Sequence, residues 1–84
     1  TRSVPIAEPN FNALRLHLSR LRADRHLTYD ALAEATGVSR RTLIAIEAGT
    51  TQGSLTSWYR ISKAFDIALG DLLAPLDGTS DGGV

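Results

Sequence analysis

No cysteine occurs among the 84 residues of this chain, which excludes disulfides and thiolate metal sites. A surplus of charge is also missing, since nine Lys and Arg face nine Asp and Glu. That balance argues mildly against a nucleic-acid ligand, because most such binders are basic. No apolar run approaches the roughly 20 residues needed to cross a bilayer, and no stretch has the makeup of a signal peptide. A cytoplasmic location and no membrane partner are therefore expected. Proline is confined to positions 5, 9 and 75, which leaves the middle of the chain free for uninterrupted helices. The length suits one domain, which at this size buries about 60% of its unfolded surface. With 43% hydrophobic residues it has the apolar material to fold without staples.

The charge that is present is unevenly spread. Residues 1–46 carry seven arginines against Glu8, Asp24, Asp30 and Glu34, a balance of +3. Residues 47–84 carry Arg60 and Lys63 against Glu47, Asp66, Asp71, Asp77 and Asp81, a balance of −3. A polarised molecule can present a basic face to phosphates while remaining neutral overall.

Periodicity predicts an all-α, compact bundle of five short helices. Residues 1–9, with Pro5 and Pro9, read as an N-terminal arm. Asn10 caps a first helix to about Arg25, with Leu14, Leu18 and Leu21 on its buried face and Phe11 one turn earlier. Thr28 caps a second helix over about 28–35, and Ser39 caps a third over about 39–48. Gly37 and Gly49 stand where a helix ends on a left-handed residue. Ser54 caps a fourth helix to about Phe65, with Leu55, Trp58, Ile61 and Phe65 as its apolar stripe. Trp58 is assigned to the core, where its indole N–H needs a partner. A fifth helix at Leu69–Leu73 places Leu72 and Leu73 as a lid and ends before Pro75. The domain is thus expected over 10–75, followed by a small, polar, acidic tail over 76–84.

The stretch from Leu27 to Gly49, LTYDALAEATGVSRRTLIAIEAG, carries most of the functional information. Two short helices joined by Gly37-Val38-Ser39 form a helix-turn-helix, a unit that lays its second helix in the DNA major groove. Arg40 and Arg41 open that second helix against its dipole, at a cost of about 0.3–1 kcal/mol. A solvated helix end explains them blandly; bidentate donation to guanine O6 and N7 explains them functionally. Ile44 and Ala45, further along, suit either thymine methyl groups or packing within the chain. No catalytic or metal site is expected. His17 and His26 share no cysteine or suitably spaced carboxylate, and Ser19, His17 and Asp24 do not converge on one helix.

From about Leu14 to Leu73 the chain resembles the lambda-repressor-type helix-turn-helix family, also called the Cro or xenobiotic-response-element type. The matching residues are Leu27-Thr28, Leu32-Ala33, Gly37-Val38-Ser39, Ile46-Glu47, Gly49, Ser54-Leu55, Ile61 and Ala64. The resemblance implies a sequence-specific double-stranded DNA-binding transcriptional regulator, a repressor, with no cofactor and no enzymatic activity. It implies base reading by Ser39, Arg40, Arg41, Ile44 and Ala45, and phosphate contacts from Thr28, Tyr29, Thr50, Thr51 and Gln52, to which Arg20 is added. It further implies a structural ion pair, Arg22 with Glu47, and a homodimer joined around Ile67, Leu69 and Leu72. The chain departs from the family pattern in having Tyr29 where glutamine is common, an uncharged loop after Gly49, and apolar Ile44 and Ala45. The apolar Ile44 and Ala45, the uncharged loop and the neutral overall charge favour an alternative, a protein-interaction module such as an antitoxin or adaptor with a protein partner.

Overall fold

The computed structural model describes residues 8–78, and its architecture follows from where side chains can cap and where they must be buried. Five α-helices form: α1 Phe11–Asp24, α2 Tyr29–Thr36, α3 Arg40–Ala48, α4 Leu55–Ala64 and α5 Leu69–Leu73. Four of them begin on the caps expected from sequence. Asn10 accepts from the Ala13 N–H, Thr28 from Ala31, Ser39 from Thr42 and Ser54 from Ser57. Each cap satisfies a backbone donor that the helix itself leaves unpaired. The all-α expectation is borne out, with helix limits within about one residue of those read from periodicity.

The corners at the ends of α1 and α4 are built alike. After α1, the N–H of His26 reaches the Ala23 carbonyl and that of Leu27 the Arg22 carbonyl. After α4, Asp66 and Ile67 repeat the pattern on Lys63 and Ser62. This paired bonding closes a helix on a left-handed residue, and here the residues are His26 and Asp66, at φ 54° and 58°. Arg25 links the two corners, donating to the Phe65 carbonyl at 3.2 Å while its guanidinium lies 4.8 Å from the Phe65 ring centre.

Between α2 and α3 the turn is fixed from inside. The Thr36 hydroxyl donates to the Leu32 carbonyl at 2.8 Å and accepts from the Val38 N–H at 3.0 Å. Gly37 takes φ 75°, which a side chain adopts only under strain, and Val38 then drops into the core. The core itself joins Leu14 and Leu18 of α1, Leu32, Val38, Leu43 and Ile46 of the helix-turn-helix, and Trp58, Ile61, Phe65 and Leu72 behind them. The Trp58 indole N–H finds its partner in the Gln52 carbonyl, at 2.9 Å.

Three expectations are corrected. Leu72 is 0% exposed and belongs to the core, so it forms neither a lid nor part of a dimer surface. The His17 ring, protonated on Nδ1, donates to its carbonyl at 3.2 Å and holds α5 against α1. Leu55 is 66% exposed although it stands on the predicted apolar stripe. Steps of three residues fall about 60° short of a full turn, so the stripe has rotated away from the core at its first member. The ordered domain also runs past Pro75. A 3₁₀ turn, Ala74–Asp77, accommodates Pro75 in its first positions, where no N–H is needed, and Leu76 packs on the core. Its carbonyl accepts from the Asn10 N–H at 2.9 Å, so Leu76, Asp77 and Gly78, expected in the tail from 76, continue the fold beyond the expected limits of 10–75. Residues 1–7 of the expected arm and 79–84 of the expected tail lie outside the described residues.

One polar cluster fastens the front three helices. Arg22 of α1 donates from Nε to Glu47 Oε2 at 2.7 Å and from Nη2 to Oε1 at 3.0 Å. The Tyr29 hydroxyl of α2 adds a third bond to Oε1, at 2.9 Å. Glu47 lies in the last turn of α3, where its charge opposes the helix dipole, and only 6% of its side chain is exposed. A carboxylate so placed is tolerable only with a cation and donors in contact. Replacement Glu47→Ala strands Arg22 and is expected to cost about 3–5 kcal/mol. In a domain of this size that lowers the melting temperature by more than about 10 °C. A thermal melt followed by helical circular dichroism checks this, and an unchanged midpoint would show that the pair contributes nothing.

Candidate nucleic-acid interface

Helix α3 turns Leu43, Ile46 and Glu47 inward and leaves Arg40, Arg41 and Ala48 exposed, with Ile44 and Ala45 half-buried between them. The outer face therefore begins with two guanidiniums and continues as a short apolar strip. The two arginines differ in their surroundings. Arg40 Nε lies 3.1 Å from Asp30 Oδ1 on α2, an exposed pair with 59% and 82% of the side chains open to solvent. Arg41 has no ion-pair or hydrogen-bond partner among the described residues. Ser39 spends its hydroxyl locally, donating to Thr42 Oγ1 at 2.9 Å while accepting from the Thr42 N–H at 3.1 Å. Of the five residues expected to read bases, four share one outward surface, and Ser39 is occupied as the cap beside it.

The expected phosphate contacts are less uniform. Thr28 is exposed; its oxygen accepts from Ala31, and its proton is available to a ligand. In the loop after α3, the Thr50 hydroxyl donates back to the Ala45 carbonyl at 3.2 Å, whereas Thr51 accepts from the Gly53 N–H at 3.4 Å and keeps its proton. The Gln52 amide is exposed, and its backbone carbonyl is held by Trp58. Gly53 allows this loop to fold tightly: at φ 81°, a Cβ there would stand 2.9 Å from both Ile46 Cδ1 and Trp58 Nε1. Arg20 is exposed, and by the 3.6-residue period sits about 140° around α1 from Arg15. It makes no hydrogen bond or ion pair with the other candidates.

Tyr29 is placed differently from its expected role. Its hydroxyl proton points inward to Glu47, and the Arg22 guanidinium carbon lies 4.1 Å from its ring centre. Burial first, and then the bond donated to Glu47, push the phenol above its ordinary value. The bond to Glu47, opposed by burial, likewise holds Arg22 more firmly protonated than a free arginine. A phosphate at Tyr29 would have to take its proton from Glu47, so the structure assigns this residue to support of α3. Residues that escaped sequence analysis are Asp30, which pairs with Arg40 at the surface, and Arg15, which donates from Nη1 to the Glu47 carbonyl at 3.1 Å. No local spacing marks either contact, since each joins separate helices.

The raised Tyr29 pKa has a sign that can be tested. Its contribution to stability is complete below the ordinary value near 10 and is lost as pH climbs through the higher folded value. Denaturant melts across about pH 8–11 are expected to show an alkaline decline in the native chain that Tyr29→Phe lacks. Parallel pH curves for the two proteins would refute the assignment.

A helix-turn-helix family model matches residues 18–72 of the chain. An uncharacterised HTH-type transcriptional regulator of Methanocaldococcus jannaschii is 42% identical over 55 residues, covering 66% of this chain and 83% of that protein. A regulator described in the same words from Archaeoglobus fulgidus is 32% identical over 59 residues, covering 70% and 84%. Among solved structures, an HTH_3 family transcriptional regulator from Vibrio cholerae superimposes with a TM-score of 0.70 at 28% identity. That match takes in 81% of this chain but only 39% of the Vibrio chain, so the present chain spans about two fifths of that protein. A hypothetical transcription factor from Neisseria shares the fold, with a TM-score of 0.67, 21% identity and coverage of 87% and 88%. With these matches falling on the same helices that present Arg40, Arg41 and the α3–α4 loop, the chain belongs to the lambda-repressor-like helix-turn-helix family, a DNA-binding class and not a family of enzymes.

Proposed function

We propose that the chain is a sequence-specific, double-stranded DNA-binding transcriptional regulator of the cytoplasm, acting as a repressor and reading its site as a homodimer. The observation that carries this reading is the outer face of α3, which opens on Arg40 and Arg41 while its opposite face is sealed in the core. The arginine forks match the acceptor pair of guanine in the major groove, and Ile44 with Ala45 match the thymine methyl group. Arg40 is oriented by Asp30, and Arg41 extends freely, so the two divide between a preset and an adaptable contact. The free hydroxyls of Thr28 and Thr51 and the Gln52 amide serve the phosphates that flank the groove. One such unit reads only a few base pairs, so two copies related by a twofold axis are needed for specificity. Ile67 and Leu69, half-buried where α4 meets α5, supply the contact surface, with Leu72 excluded by its burial.

Selection of bound sites from a random duplex library tests the proposal directly. The recovered sites are expected to be inverted repeats with half-sites about one helical turn, ~34 Å, apart. On the best site, alanine in place of the base-reading arginine is expected to cost about 1–3 kcal/mol and relax preference at one base pair. Recovered sites without an inverted repeat would remove the homodimer. Equal losses for Arg40→Ala and Arg41→Ala on specific and non-specific duplexes would remove base reading and put a protein-interaction module first.

The scarcity of cations gives a second expectation. Affinity for the best site is expected to fall with salt as if three to five phosphates per subunit were neutralised, roughly, from the slope of log affinity on log salt. A slope of about ten per subunit, more than twice that expectation, would contradict this picture of the interface.

A further inference from the structure

Asp30 and Arg40 meet across the gap between α2 and α3, with Oδ1 of one 3.1 Å from Nε of the other. Asp30 stands in the first turn of α2, where its charge suits the helix dipole. Arg40 is the first residue of α3, where its charge opposes the dipole. Both side chains are exposed, so the pair adds little to the stability of the free domain. Its position matters more than its strength. It lies at the leading end of α3, so a carboxylate stands among the groups that would meet a polyanion. Asp30 occupies the Nε side of the guanidinium, and Nη1 and Nη2 meet no acceptor among the described residues. Arg41, one position on, has no such counterion among the described residues.

A carboxylate beside Arg40 changes what that arginine gains from each ligand. A phosphate is an anion, as Asp30 is, and takes the cation only by displacing or crowding the carboxylate. Either way Asp30 is left uncompensated in the field of the DNA, and one anion has merely replaced another. The O6 and N7 of guanine are acceptors without net charge. A planar guanidinium has five N–H donors, so it can give its Nη edge to guanine and keep Asp30 beside Nε. We infer that Asp30 is a specificity-determining residue, which withholds Arg40 from phosphates and reserves it for a base edge. The inference rests on the DNA-binding reading above and adds to it a group that weakens binding to the wrong sequence. Arg41, without a counterion, is equally free to take a base or a phosphate.

The test uses the full chain, a duplex carrying its selected site and a scrambled duplex, each titrated over a range of salt. Asp30→Asn keeps the shape of the side chain and removes its charge. It is expected to bind the scrambled duplex about tenfold more tightly near 0.1 M salt, with the slope there steeper by about 0.9 per subunit, as one more phosphate is engaged. Affinity for the selected site is expected to change less than about threefold, so the ratio between the two duplexes falls. Glu34→Gln is the control for charge alone, since Glu34 is an exposed carboxylate one turn further along α2 and pairs with no cation among the described residues. It is expected to shift both duplexes in the same proportion. In an Arg40→Ala background, Asp30→Asn is expected to do no more on the scrambled duplex than Glu34→Gln does. The inference is overturned if Asp30→Asn raises both affinities alike or changes neither. It is also overturned if the extra slope persists without Arg40, because the carboxylate would then act as a general charge. A native chain that binds no duplex in a salt-dependent way would overturn the DNA-binding reading itself, and this role of Asp30 with it.

Discussion

The carboxylate of Glu47 is the constraint on which the front of the molecule depends. It sits at the wrong end of a helix for its charge, nearly out of reach of water, and is made tolerable by donors from two other helices. Arg22 uses its remaining Nη1 on the Leu27 carbonyl, so the arginine that neutralises α3 also secures the corner leading into α2. The helix-turn-helix is thereby referenced to α1 by directional bonds, where apolar packing alone would allow small slides between smooth helix faces. A surface that discriminates bases needs that fixity, because a misplaced donor loses most of its preference for one acceptor pattern over another.

Electrical neutrality and DNA binding are reconciled by where the arginines are used. Of the three arginines on α1 and Arg25 at its C-terminal cap, Arg15, Arg22 and Arg25 are each bonded within the fold, and Arg20 alone stands apart. The cations therefore serve structure and surface together, and few are left over as general phosphate attractants. In a DNA-binding protein, few spare cations keep non-specific affinity low, which raises the ratio of specific to non-specific occupancy for a given strength of base contact.

Most of the fold was legible because its signals are local. Asn10, Thr28, Ser39 and Ser54 announce helix starts within a few residues of the groups they cap, and Gly37 and Gly49 announce ends. The outward face of α3 was legible for the same reason, with Arg40 and Arg41 next to a recognised turn. What escaped depends on distant partners. The destination of the Tyr29 hydroxyl depends on Glu47, the exposure of Leu55 on the direction α4 takes across the core, and the burial of Leu72 on contact with α1. Arg15 is the clearest case, because its carbonyl partner lies 32 residues away.

The bond from the Asn10 N–H to the Leu76 carbonyl closes the described chain nearly into a ring. Asn10 is also the cap of α1, so the same residue starts the first helix and receives the last turn. Fraying is then a shared event. If the C-terminal 3₁₀ turn lifts, the Asn10 backbone N–H loses its acceptor and Leu76 leaves the core on which Phe11 also packs, which loosens the end of α1 that carries Asn12 and Arg15. Anything attached beyond residue 78 that strains this clasp would be felt at the start of α1, and through Arg15 at the end of α3, without touching the helix-turn-helix directly.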